Sequence, residues 1–251
     1  KLSTVVIPLF TQEDYISTDK NNLYKFKCKQ CNDIFEDHID GGHLPRCLKC
    51  NPYIAGFSHN EKEIVIVEAG IGKVNAAVTT TLMIENFEVD YIINIGVAGG
   101  QHGVKHKDVI ISDYVLYHDV DVTSYDAYIR GQVPGHEPLF EADQTLVTNT
   151  RFILEKLDID FKVGKIASGD QFVTNPDTVK EINEIYNDIY AIEMEAGAIA
   201  HVATIYKVPF IVYRSISDVI GDENQENDFY KFVAEAAENA SIVLSELLKT
   251  L

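Results

Sequence analysis

The chain has 251 residues, 46% of them hydrophobic and 24% charged, which is enough to bury the core of one main domain and leave room for a small module. Its formal net charge of −18 argues against nonspecific attraction to nucleic acid or anionic lipid, since a polyphosphate would meet repulsion over most of the surface. No apolar run is long enough to span a bilayer and residues 1–10 lack a secretion-signal pattern, so the expectation is a soluble cytoplasmic protein acting on a small molecule.

Residues 3–10 (STVVIPLF) are apolar and β-branched and predict a first strand, followed by the acidic loop Thr11-Gln12-Glu13-Asp14. Residues 19–52 then carry all four cysteines, as Cys28-x-x-Cys31, fifteen residues, and Cys47-x-x-Cys50. Two residues between cysteines let both sulfurs face one tetrahedral ion, so the spacing predicts a structural four-thiolate zinc site in a zinc-ribbon-like insert. Metal binding would supply much of the folding free energy of so short a segment. Disulfides are the weaker reading in a cytosolic protein, and His38 and His43 are surplus beside four thiols. The basic residues of the module are offset by Asp33, Glu36, Asp37 and Asp40, which favours a structural or protein-contact insert over a nucleic-acid-binding ribbon.

Beyond this module, strand-like and helix-like stretches alternate. Residues 53–57 and 63–68 read as paired strands, and 69–75 (AGIGKVN) as a glycine turn into a helix over 74–85. Residues 91–95 predict a buried strand running into Gly96-Val97-Ala98-Gly99-Gly100, where small residues let backbone approach a ligand closely. A strand over 109–112 leads to YHDVDVT (117–123), whose alternation favours a half-exposed strand or interface over a ligand set. Residues 126–139 read as loop, 143–157 as a helix and 163–167 as a strand ending in SGDQFV (168–173). Asn175, Pro176 and Asp177 predict a capped helix to about residue 186.

The stretch 191–218 carries ionisable groups at both ends, Glu193-Met194-Glu195 at a helix entry and Arg214-Ser215-Ile216-Ser217-Asp218 at the end of a strand. Between them Ala196, Ile199, Ala200, Ala203 and Thr204 recur at helical spacing, Pro209 stops the helix, and 210–213 reads as a buried strand. A helix turned back on a strand brings both ends to one sheet edge, where open α/β folds place ligands. An acidic loop over 221–228 and a terminal amphipathic helix over 229–248 complete an α/β pattern. The expected domain layout is 1–18 as first strand and loop of the main domain, 19–52 as the cysteine module and 53–251 as the rest.

The motifs GIGKVNAA (70–77), INIGVAGG (93–100), YHDVDVT, GQVPG (131–135), SGDQFV, IEMEAGAIAHVA (192–203) and VPFIVYRSISD (208–218) occur in the order and approximate spacing of one family. From about residue 53 to its end the chain resembles the 5′-methylthioadenosine/S-adenosylhomocysteine nucleosidases of the nucleoside phosphorylase superfamily. The resemblance implies a three-layer α/β/α sandwich around a central mixed sheet. It also implies hydrolysis of the N-glycosidic bond of an adenine thionucleoside without a catalytic cofactor, in a homodimer. Such a reaction passes through an oxocarbenium-like ribose and a purine gaining negative charge, so the site must protonate the base, position a water and bind ribose hydroxyls.

By resemblance, Asp218 is the general acid that protonates adenine N7, a role requiring a proton held near neutrality by burial or neighbouring charge. Glu195 accepts hydrogen bonds from ribose hydroxyls, its ionised form favoured at a helix start. Met194 packs on the sugar with Glu193 beside it, Phe172 stacks on adenine, and the Val173 backbone bonds the base edge. Ser217 and Arg214 position the acid, Ala98 and Gly99 line the ribose, and Ile71 and Phe229 form apolar walls. Tyr125 and Pro134 lie in the segment that reaches the neighbouring subunit's thioalkyl pocket.

The chain departs from the family at its amino end, where strand register puts Glu13 at the water-activating position and Phe10 at a methionine. It departs again at Ile95 and Val97, where the family has Thr and Ser. The early arginine, Arg46, lies inside the cysteine module and leaves no cationic group to hold phosphate, which favours hydrolysis over phosphorolysis. The alternatives are a futalosine hydrolase, or a nucleoside-binding scaffold that does not cleave.

Overall fold

The computed structural model describes residues 6–17, 21–39, 45, 47, 54–59, 62–223 and 225–251. The chain divides into two compact units, Lys1–Ala69 and Gly70–Leu251.

In the first unit β1 (Val6–Pro8) pairs antiparallel with β2 (Tyr24–Cys28), which pairs with β3 (Ile34–Asp37). Alternation along β2 buries Tyr24, Phe26 and Cys28 on one face, and Val6 joins that core. The Tyr24 hydroxyl donates to the Ser17 carbonyl at 2.8 Å and accepts from the Ile16 and Ser17 amides at 3.0 Å, which ties down the chain leaving β1. Strands β4 (Ile54–His59) and β5 (Lys62–Val67) form their own antiparallel hairpin. Thus the strand expected to open the main domain makes its hydrogen bonds within the cysteine-bearing unit, and the chain divides after residue 69. The buried face of β2 supplies the apolar surface that Val6 needs.

The second unit is built on β6 (Ile92–Gly100), β7 (Val109–Tyr117), β8 (Phe140–Glu141), β9 (Phe161–Ser168), β10 (Ile189–Glu193) and β11 (Phe210–Val219). Their order is β11-β6-β10-β9-β7-β8, with parallel and antiparallel pairs mixed. Tyr213–Ser215 of β11 also pair with Val109–Ile111 of β7, so the sheet closes on itself. This differs from the open edge expected from the sequence. Among the described residues the helices are α1 (Lys73–Asn86), α2 (Gln144–Leu157), α3 (Pro176–Asn183), α4 (Ala196–Tyr206) and α5 (Gln225–Leu247). Helix α5 packs on β11 and β6 with α2 beside it, while α4 packs on β9, β7 and β8 with α1 beside it, which gives the helical layers about a mixed sheet.

Local chemistry explains most boundaries. Asp143 caps α2 by accepting from the Thr145 and Leu146 amides, and Asp158, at φ 56°, ends the helix in the left-handed region. Asn175 caps α3 ahead of Pro176, and the helix stops at Asn183, short of residue 186. Helix α5 begins at Gln225, four residues before the expected start. Strands β6 and β11 run on through the glycine-rich and Arg-Ser-Ile-Ser-Asp segments, because each pairs with the other along its length. Residues 118–123 lie outside any strand, and His118 is 2% exposed, so YHDVDVT does not continue as a half-exposed strand.

Candidate active site

Sheet register assembles the site from the ends of four strands. Glu193, the last residue of β10, lies beside Ser168, the last of β9, and Asp218 of β11 lies beside Gly99 of β6. Glu193 is 6% exposed and Arg214 3%. Arg214 Nη2 reaches Glu193 Oε2 at 2.5 Å and donates to Asn94 Oδ1 at 2.8 Å, and it lies 3.8 Å from Glu195 Oε2. Glu193 also accepts from the Ser168 hydroxyl and from the Glu195 and Ala196 amides at 2.9–3.1 Å. The carboxylate is thus paired and hydrogen-bonded on both oxygens, as a buried charge requires. Gly96 makes room for this arrangement, since a Cβ there would lie 2.2 Å from Arg214 Nη1.

Glu195 occupies the N-cap of α4 and accepts from the Gly72 amide at 3.0 Å. Burial, and then the negative charge of Glu193, push its carboxyl above the usual glutamate range; Arg214 and the Gly72 amide only partly offset this. The expected net stabilisation of the ionised form by the helix start is therefore overturned by desolvation. Gly72 has φ 91°, and a Cβ there would meet Asp170 Oδ1 at 2.9 Å, so both its conformation and its neighbour call for glycine.

Asp218 is 1% exposed. Ser217 Oγ lies 2.7 Å from Asp218 Oδ1 and 3.3 Å from the Ala98 carbonyl oxygen, while Gln225 Nε2 donates to Asp218 Oδ2 at 2.8 Å. The same Gln225 nitrogen donates to the Val173 carbonyl at 3.0 Å. Val173 is buried, whereas Phe172 is 52% exposed and meets the half-buried Phe229 ring edge to face at 5.7 Å.

Glu193, Glu195 and Arg214 thus form one polar cluster, and Asp218, Ser217, Ala98 and Val173 a second, with Gly99 beside Asp218 and Phe172 against Phe229. Met194 is half-buried next to the first cluster in sequence. Ile71 is 74% exposed, Tyr125 68%, and Pro134 is exposed. Glu13 lies exposed in the first unit, in the turn over residues 11–14. A separate cleft of about 690 Å³, lined by Tyr128, Gln132, His136, Phe140 and Thr204 among others, holds none of these groups.

Sequence reasoning missed Ser168, Asn94 and Gln225, and also a clamp around Asp119. Asp119 Oδ2 accepts from Lys73 Nζ at 2.6 Å and from the Asp170 amide at 2.9 Å, and Asp170 Oδ1 accepts from the Lys73 amide at 2.8 Å. Burial works to raise the Asp119 carboxyl, but these hydrogen bonds and the Lys73 charge outweigh it and hold the group below the usual range. The clamp joins the start of α1 to the loop that carries Phe172. Its members stand 97 and 51 positions apart, so only the fold reveals it.

In the first unit Cys28, Cys31 and Cys47 place their sulfurs within 4.8 Å of one another, with Cys31 and Cys47 Sγ 3.6 Å apart. Sulfurs sharing a tetrahedral zinc at ~2.3 Å stand about 3.8 Å apart, so the described thiols fit such an ion. Cys50 lies outside the described residues.

The family model of the phosphorylase superfamily matches residues 45–249. A 5′-methylthioadenosine/S-adenosylhomocysteine nucleosidase from Marinomonas sp. is 42% identical over 202 residues, covering 80% of this chain and 86% of the relative. The Neisseria meningitidis nucleosidase of that name, solved with methylthio-immucillin-A, superposes with a TM-score of 0.76 at 32% identity, covering 92% of this chain and 91% of the other. Futalosine hydrolase of Helicobacter pylori gives 0.75 at 31% identity, over 79% and 84%. The chain belongs to the 5′-methylthioadenosine/S-adenosylhomocysteine nucleosidase family of the phosphorylase superfamily.

Proposed function

We propose that the protein hydrolyses the N-glycosidic bond of 5′-methylthioadenosine and S-adenosylhomocysteine, releasing adenine and a thioribose, without a catalytic cofactor. The observation that carries this reading is the buried Asp218, held beside the Val173 carbonyl in a chain 42% identical to a named nucleosidase.

In this reaction Asp218 gives a proton to adenine N7, which relieves the charge building on the departing base. Ser217 and Gln225 hold its carboxyl in place. Glu195 faces the ribose hydroxyls, and the Arg214–Glu193 pair fixes the turn that presents it. Met194 packs on the sugar, Ala98 and Gly99 line it, Phe172 and Phe229 enclose the base, and Ile71 adds an apolar wall. Glu13 takes the water-activating role on sequence register. Tyr125 and Pro134, both exposed, serve the thioalkyl pocket of a second copy in a homodimer. Cys28, Cys31, Cys47 and Cys50 hold a structural zinc, the first three with their sulfurs gathered within 4.8 Å of one another, and the protein is cytoplasmic. None of the helices among the described residues is long and apolar enough to cross a membrane.

The test is adenine release from both thionucleosides, with and without phosphate, in the intact protein, E13Q and D218N, with futalosine as a third substrate because of the Helicobacter likeness. Phosphate-independent release that both substitutions abolish is expected. Adenine binding without any release would make the protein a nucleoside binder, and preferential cleavage of futalosine would reassign its substrate.

A further inference from the structure

Gln225 is a buried polar side chain that no motif of the sequence singled out. It is 5% exposed, at the first position of α5, and its carboxamide makes three hydrogen bonds. Nε2 donates to Asp218 Oδ2 at 2.8 Å and to the Val173 carbonyl at 3.0 Å, while Oε1 accepts from the Gly221 amide at 3.1 Å. A backbone N–H can only donate, so the Gly221 contact fixes which end of the carboxamide is oxygen. Both amide hydrogens are thereby committed to two acceptors, one on the strand that ends in the acid and one on the loop that carries Phe172.

The two carboxyl oxygens of Asp218 have different partners. Oδ1 faces the Ser217 hydroxyl at 2.7 Å, which also lies 3.3 Å from the Ala98 carbonyl oxygen, while Oδ2 receives the Gln225 N–H. Oδ2 and the Val173 oxygen remain as two acceptors gathered on one nitrogen.

Adenine presents the N7 acceptor next to its N6 amino donors along one edge. An acid that protonates N7 through one oxygen turns its other oxygen toward the 6-substituent. A 6-amino group brings the same pair of N–H donors as the Gln225 carboxamide, and so can share or replace its bonds. A 6-oxo group brings none and sets an acceptor against two acceptors.

We propose that Gln225 is a positioning residue that sets the base preference of this site, holding Asp218 Oδ2 and the Val173 carbonyl as a paired acceptor for the 6-amino group of a purine. The proposal rests on the nucleosidase reading for the identity of the base, and its test has a readout besides cleavage.

The experiment measures the affinities of adenine and hypoxanthine by calorimetry, and kcat/KM for methylthioadenosine and methylthioinosine, in the wild type, Q225M and Q225E. Glutamate keeps an oxygen for the Gly221 amide but has at most one proton to give where the carboxamide gives two, and when ionised sets its charge against Asp218, whereas methionine loses all three bonds. The wild type is expected to favour the 6-aminopurine by on the order of 100-fold or more, as a site built to bond a polar group rejects an analogue lacking it. Both variants are expected to lose at least about tenfold of that ratio, because discrimination needs the polar partners held in place. A ratio unchanged in both variants overturns the proposal. So does a loss confined to Q225M, which would show that Gln225 only anchors residues 221–225. A ratio is insensitive to the fraction of folded protein, and a protein that binds adenine without cleaving nucleosides would lose the nucleosidase reading while still testing Gln225.

Discussion

Arg214 Nη2 stands 2.5 Å from Glu193 Oε2, with both side chains 3% exposed, so the pair reaches across β6 from β11 to the end of β10. Two charges so enclosed are stable only together. Replacing Arg214 by methionine leaves the Glu193 carboxylate unpaired in the interior and is expected to cost about 3–5 kcal/mol in urea unfolding. The milder G96A places a methyl against Arg214 Nη1 and is expected to cost about 1–3 kcal/mol, with turnover falling because Arg214 must leave Asn94 and Glu193.

Glu195 is expected to trade stability for function. Its carboxyl is raised above the ordinary glutamate value of 4.5 by burial and by Glu193, so the folded protein holds this proton more tightly than the unfolded chain. Its contribution to stability is present below the unfolded value and is lost as pH rises through the folded one. E195Q is therefore expected to raise the melting temperature at neutral pH, with the gain disappearing toward pH 4, while adenine release falls. A melting temperature at neutral pH equal to or below that of the wild type would contradict this account.

Asp119 holds no substrate group in the proposed reaction, yet it joins α1 to the Phe172 loop through Lys73 and Asp170. D119N keeps the shape but removes the charge facing Lys73. The expected result is a KM raised about tenfold with kcat changed less, the mark of weakened ground-state binding. Steady-state kinetics separates this from a global loss of folded protein, which would lower the apparent kcat alone.

Removing metal from the first unit is expected to unfold that unit. A chelator strong enough to strip a thiolate site should release about one zinc per chain and open β2 and β3 to protease, and C28S or C31S should bind no stoichiometric zinc. Metal analysis with limited proteolysis checks both. A chain that carries no zinc as purified from zinc-supplemented culture would remove the thiolate-site reading.

The sequence was most legible where one residue's chemistry acts locally. Asp143 and Asn175 cap helices as their side chains dictate, and the IEMEAG and RSISD segments meet as their motifs imply. Strand β10 was hidden because Glu193 and Glu195 look like the acidic first turn of a helix. Pairing with Ser168 instead makes Glu193 the end of a strand. Gln225 was read as part of a polar loop, since its partners Val173 and Asp218 lie 52 and 7 positions away and a glutamine carries no local preference strong enough to announce them. The pairing of β1 with β2 was masked in the same way, because an apolar β-branched run fits any buried neighbour.

The double pairing of β11 divides the site by mobility. Tyr213, Arg214 and Ser215 are bonded to strands on both sides, so their amides can exchange with solvent only when the barrel itself opens. Phe172 belongs to a loop with half its surface in water. The ionic cluster therefore keeps its geometry from one turnover to the next, and in the proposed reaction adjustment around the base falls to Phe172 and Phe229. Substrate range can then drift through the loop residues while the acid–arginine frame stays where the sheet put it.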